Sequence, residues 1–107
     1  MKHTAGKWEY DTSGNYYHAS GVIRMNGVLI AKMVTQTTHK PGEVDANARL
    51  IAAAPELLEA CRLALPFLEE YRERVIKGEI TGKLLTGDYA PVNDMRRAIA
   101  KAEGVKL

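Results

Sequence analysis

The side chains in this sequence that can do chemistry are aromatic and basic. Trp8, Tyr10, Tyr16, Tyr17 and His18 crowd into the first part of the chain, with Lys7, Arg24 and Lys32 close by. Flat rings interleaved with cations can form a platform on which bases stack while the cations meet phosphates. The same rings on strands are also ordinary core residues, so both readings stand. Adjacent residues of a strand face opposite ways, so Tyr16 and Tyr17 cannot share one core. One of the two is exposed or lies at an interface. Further on, Arg49 follows a helix start, and Arg96, Arg97 and Lys101 line one side of a C-terminal helical segment. An anionic nucleotide needs a flat surface and fixed positive donors. The candidate ligand-binding residues are therefore Trp8, Tyr10, Tyr16, Tyr17, Arg24, Arg49, Arg96 and Arg97. Arg49 reads equally as a surface arginine whose stem covers apolar neighbours. The basic face of the last helix reads equally as a solvated one.

Catalytic patterns are missing from the sequence. His3, His18 and His39 share no metal-ligand spacing, and the single Cys61 cannot build a zinc ribbon. No GxSxG elbow occurs, and nothing pairs Cys61 with a histidine. No Walker or GxGxxG loop cradles a phosphate. Glu69 and Glu70 are neighbours on a helical segment and point apart, so they cannot flank one substrate bond. No enzyme, metal or cofactor is expected. A net charge of +2 is too small to argue for nucleic acid by itself. No helix concentrates enough positive charge to track a duplex, which leaves a DNA-binding accessory role as the weakest option.

These residues must be positioned by elements organised around Asp45–Gly78. Apolar residues recur there at steps of four and three: Leu50, Ala54, Leu57, Cys61, Ala64, Leu68, Tyr71 and Val75. Leu58, Leu65 and Ile76 widen that seam into a stripe. Asp45 suits an N-cap, with Val44 before it as half of a hydrophobic staple. Pro55 disfavours helical geometry at Ala54, so a short helix over about 45–53 is expected, followed by a second starting at Pro55. Pro66 should kink or split that second helix. Cys61 falls on the seam and reads as a buried thiol.

Before this segment the period changes from 3.6 to 2. Lys7–Asp11 alternates, Thr12–Asn15 is a turn, and Tyr16–His18 reopens a strand. Gly21–Met25 and Val28–Val34 flank Asn26-Gly27, the strongest short hairpin signal. A two-residue turn sets Met25 against Val28, Arg24 against Leu29, Ile23 against Ile30 and Val22 against Ala31. One face then carries Ile23, Met25, Val28, Ile30 and Val34. The other carries Val22, Leu29, Ala31 and Met33 with Arg24. Two apolar faces, with little chain left for a second layer, predict a homo-oligomer. Thr35–Glu43 is a polar loop in which His39 is solvated. Residues 79–90 read as an irregular excursion or flap. Pro91–Glu103 is helical, started by Pro91 or Asn93 and ended by Gly104, with Val92, Met95, Ile99 and Ala102 inward.

The fold class expected is α+β: an N-terminal antiparallel meander of three or four strands, then two or three helices on one face. At 107 residues this is one domain, 1–107, with the sheet in 1–43 and the helices in 44–107. Residues 1–20 are polar and resemble no signal peptide, and no apolar run approaches about 18 residues. An intracellular protein with no membrane partner is expected.

The opening KHTAGKW, the stretch ANARLIAAAPELLEA over Ala46–Ala60 and the closing MRRAIAKAEG together resemble a widespread group of small phage and prophage proteins. Those proteins open with His-Thr-Pro-Gly-Pro-Trp and end in an Ala-Ile-Ala-Lys-Ala helix. Here Ala5 and Lys7 replace the prolines, while His3, Thr4, Gly6 and Trp8 are kept. The resemblance implies a phage accessory protein acting in the cytoplasm of a bacterial host, and it supplies no catalytic residues to transfer. By analogy with other small phage proteins, two roles follow. One is a non-enzymatic sponge that sequesters a nucleotide second messenger, a cyclic oligonucleotide or an ADP-ribose type, at a subunit interface. The other is an anti-CRISPR-like inhibitor that binds a host defence effector.

Overall fold

The change of period near residue 44 becomes a change of structure. Three strands, β1 (Glu9–Asp11), β2 (Gly21–Met25) and β3 (Val28–Met33), precede two helices, α1 (Glu43–Ile76) and α2 (Ala90–Glu103). The strands form an antiparallel sheet in the order β1-β2-β3, so the α+β expectation holds. This computed structural model describes residues 2–14, 19–79 and 90–105. The strand expected at Tyr16–His18 lies outside them, as does the excursion except for its two end residues. The chain divides into two compact units, Lys2–Glu56 and Leu57–Leu107, with the division inside α1.

In the N-terminal unit the hairpin turn is as its residues require. Asn26 and Gly27 have φ of 48° and 81°, the two positive values of a type I′ turn. The register beyond it differs from expectation. Met25 faces Val28 and Arg24 faces Leu29, but Ile23 faces Ala31, Val22 faces Lys32 and Gly21 faces Met33. A β-bulge between Ile23 and Arg24 skips Ile30, and a one-residue slip exchanges the faces of everything past it. Ala31 and Met33 therefore join Ile23 and Tyr10, while Val22 shares its face with Asp11 and Lys32. The second face mixes Glu9, Asp11, Arg24 and Lys32 with Val22 and Leu29, so it is more polar than the apolar face from which an oligomer is expected. Val22 and Ile23 on the middle strand are 1% and 0% exposed, the most enclosed large side chains described.

α1 corrects the expected break at Pro55, and it does not split at Pro66: it is one continuous helix through both. A proline's own φ is helical, and each ring removes a single N–H from the ladder while crowding the preceding turn, at about 3 kcal/mol. Strong helix formers on both sides outweigh those two local losses. The start also differs. The Gly42 carbonyl accepts the Ala46 N–H at 3.0 Å, Glu43 Oε2 accepts the Lys40 N–H at 3.0 Å, and the helix opens at Glu43 instead of after an Asp45 cap. Its end is a Schellman closure, with the Gly78 N–H on the Val75 carbonyl (3.1 Å) and the Glu79 N–H on the Arg74 carbonyl (3.0 Å).

In the C-terminal unit, α2 opens at Ala90 and closes the same way at Gly104, φ 74°, as expected. Arg62 pairs with Glu103 and Glu69 with Arg96, both at 3.0 Å. Seven residues forward on α1 meet seven residues back on α2, so the two helices run antiparallel. Cys61, Ala64, Leu65, Leu68 and Val75 are half-buried. Leu57, Tyr71 and Ile76 of the expected stripe are exposed, as are Leu50 and Ala54 earlier in α1. A partner helix of 14 residues cannot cover the length of a 34-residue one. On α2, Val92 and Ala100 are the buried residues, and Ala102 is exposed.

Candidate ligand-binding cleft

Trp8 folds the N-terminal segment onto itself. Its indole Nε1 donates to the Thr4 carbonyl at 3.0 Å, and the His3 ring meets the indole edge-on, 5.9 Å between centroids. Between them Gly6 adopts φ 113°, a value that favours glycine. A Cβ there would lie 2.8 Å from Met25 Sδ, so the glycine lets the segment's backbone rest on the hairpin. His3, Thr4, Gly6 and Trp8 act as one local device.

That approach closes one end of a cleft of about 460 Å³. Its lining comes from Lys7, Glu9, Tyr10 and Asp11 on and before β1 and from Arg24, Met25, Asn26 and Gly27 at the end of β2 and its turn. Glu9 sits directly across from Arg24, and Tyr10 across from Ile23. The Tyr10 hydroxyl leaves the sheet and donates to Asp45 Oδ1 on α1 at 2.7 Å. That bond, with partial burial, pushes the phenol above its ordinary value of 10.0, and Arg49, one turn beyond Asp45, opposes the rise. The ring is thereby fixed between β1 and α1 with its hydroxyl already engaged.

A phenol held neutral by the fold stabilises it in full below pH 10, and that stability is lost as pH rises through the raised value. Tyr10→Phe is therefore expected to lower stability by about 0.5–1.5 kcal/mol near neutrality. The deficit should shrink as pH rises above 10 through the raised value. Urea midpoints of both proteins, followed from pH 8 upward, check this. Coincident midpoints at pH 8 would mean that the hydrogen bond contributes nothing.

Of the eight sequence candidates, the cleft brings together Tyr10 and Arg24, with Arg49 near Tyr10. Trp8 braces the segment that forms the wall and is not itself part of the lining. Tyr16 and Tyr17 lie outside the described residues. Arg96 and Arg97 belong to the other unit, where Arg96 pairs with Glu69 and Arg97 with Asp94 at 3.5 Å. Lys7, Glu9 and Asp11 also line the cleft. Lys7 was legible as a cation beside the rings, whereas the two carboxylates carried no signal. Among the described residues no group of His, Cys, Asp and Glu is arranged to hold a metal ion.

The family model of Salmonella phage P22 protein Y8K6 matches residues 1–106, nearly the whole chain. The chain belongs to that family. The match covers the N-terminal device, the cleft and both helices alike, and it makes this a phage protein family. No curated protein and no solved structure matches the chain. Among the described residues, no helix is long and apolar enough to cross a membrane.

Proposed function

We propose that this chain is a non-enzymatic phage accessory protein that sequesters a nucleotide-class ligand in the N-terminal cleft, acting in the host cytoplasm against a defence signal. The observation that carries it is the presence of Tyr10, Arg24 and Lys7 together in the lining of a cleft of about 460 Å³. That volume lies in the range of small-molecule sites, roughly 300–1,000 Å³. Two cations suit a phosphate group as charge-assisted partners. Glu9 and Asp11 in the same lining suit hydrogen-bond donors, such as ribose hydroxyls or a base amino group. A ligand with both characters, a cyclic oligonucleotide or an ADP-ribose type, matches this lining better than a bare polyanion. The cleft is built within one chain, so binding here does not require a second subunit.

Calorimetric titration of cyclic dinucleotides, cyclic trinucleotides and ADP-ribose isomers tests the reading. Arg24→Gln is expected to weaken binding about 10- to 150-fold, the loss of a hydrogen bond to a charged group. Tyr10→Ala should weaken it about 5- to 150-fold, the loss of a stacking face. Absence of wild-type binding up to high micromolar concentration would overturn the sponge, and the effector-binding inhibitor would take its place. Binding that neither substitution weakens would keep the ligand class and move the site.

A further inference from the structure

α1 carries an exposed line of side chains whose order reads the same from both ends. Glu56, Leu63, Phe67 and Arg74 are spaced by seven, four and seven residues. At 100° per residue those steps turn the helix by only about −20°, +40° and −20°, so the four side chains lie in one narrow strip roughly 27 Å long. Leu63 and Phe67 at its centre are 63% and 74% exposed. Phe67 is the most exposed of the large apolar residues described on α1, and Leu63 lies one turn before it on the same face. Ala60 and Ala64 beside them leave room for another backbone to come close.

We propose that this strip binds a second copy of the chain, α1 against α1 in antiparallel orientation about a two-fold axis level with Leu65. In that register Leu63 of each copy meets Phe67 of the other, and Glu56 meets Arg74 at both ends of the strip. Each isologous contact occurs twice, as two-fold symmetry requires. A parallel pair would set Glu56 against Glu56 and Arg74 against Arg74, so the charges select the antiparallel arrangement. The charge pattern fits the chain's own reverse, which is the reason to assign the strip to a second copy. Arg74 meanwhile pairs with Glu79 at 3.6 Å, with both side chains about half exposed. A pair of that kind is weak and exchangeable. The surface is distinct from the N-terminal cleft, and its occupancy does not depend on what the cleft binds.

The test is sedimentation analysis of the full chain across a range from about one to several hundred micromolar. A single helix-pair contact is at the small end of interface sizes, so a monomer–dimer equilibrium in the micromolar range is expected. Phe67→Asp should abolish the dimer, with far-UV circular dichroism unchanged because the side chain is exposed. Glu56→Arg should raise the dissociation constant roughly tenfold by setting like charges together at both ends. The double exchange Glu56→Arg with Arg74→Glu should restore it. A monomer at every concentration would overturn the proposal and return the strip to a different partner, such as a host protein. A dimer indifferent to Phe67→Asp would overturn it by locating the contact elsewhere. A double exchange that fails to restore affinity would refute the antiparallel register.

Discussion

Ile23→Ala is expected to lower folding stability by about 2–5 kcal/mol, as large-to-small substitutions in a close-packed site do. Ile23 sits on the middle strand with no exposed surface, between Tyr10 on β1 and Ala31 on β3. Neither neighbour can move inward to fill the space. Tyr10 is fixed by its bond to Asp45, and Ala31 has no side chain to extend. A small protein has only about 5–15 kcal/mol in total, so the loss should move a large part of the urea transition. Leu63→Ala, which removes similar bulk from an exposed position, should change monomer stability by no more than about 0.5 kcal/mol. Midpoints for the two variants, taken by circular dichroism at low protein concentration, should therefore separate widely. Coincident midpoints would show that β2 is not the centre of the N-terminal unit.

Gly21→Ala is expected to be nearly as damaging, and for the opposite reason. A Cβ on Gly21 would stand 2.8 Å from Tyr10 Cε1, 2.9 Å from the Asp11 carbonyl oxygen and 3.1 Å from Thr12 Cγ2. A side-chain carbon can rotate away, but the carbonyl belongs to β1 itself. The strand must retreat, and overpacking of this kind costs about 1–3 kcal/mol. Its consequences should be local and legible. The Tyr10 ring would be pushed from its place beside Gly21, and the hydrogen bond to Asp45 would be lost with it. Gly21→Ala should therefore remove the pH-dependent part of the stability that Tyr10→Phe removes, and it should weaken any ligand held by Arg24 even though Arg24 is intact. Retention of both properties would mean that β1 absorbs the methyl group without moving.

Much of this architecture was legible because it is local. Asn26-Gly27 specifies its turn through backbone angles that few other residue pairs adopt, and Gly78 and Gly104 close their helices for the same reason. The bulge was not legible. Nothing in Val28–Met33 distinguishes Ile30 as the residue to skip; the choice is made by which partners fit across β2. The prolines misled because their penalty is counted at one bond, whereas the helix is decided over its whole length. Tyr10 and Arg24 were visible as a ring and a cation, but their place in one lining depends on strand pairing. The Tyr10–Asp45 bond spans 35 residues, and no local pattern announces it. Arg96 and Arg97 carry the same charge as Arg24 in the sequence, and the structure pairs them with Glu69 and Asp94 of their own unit.

The skipped Ile30 also bears on aggregation. Among the described residues β3 has a sheet neighbour on one side only, and its Val28 and Leu29 are half exposed. A regular apolar edge strand is a template on which a strand of another molecule can pair. Such pairing needs donors and acceptors that alternate without interruption along the whole edge. The bulge breaks that alternation in the middle of β3, and Lys32 sets a positive charge just beyond the break. An incoming strand can match the first half of β3 or the second, never both. The same irregularity that sorts the two faces of the sheet thus keeps it finite.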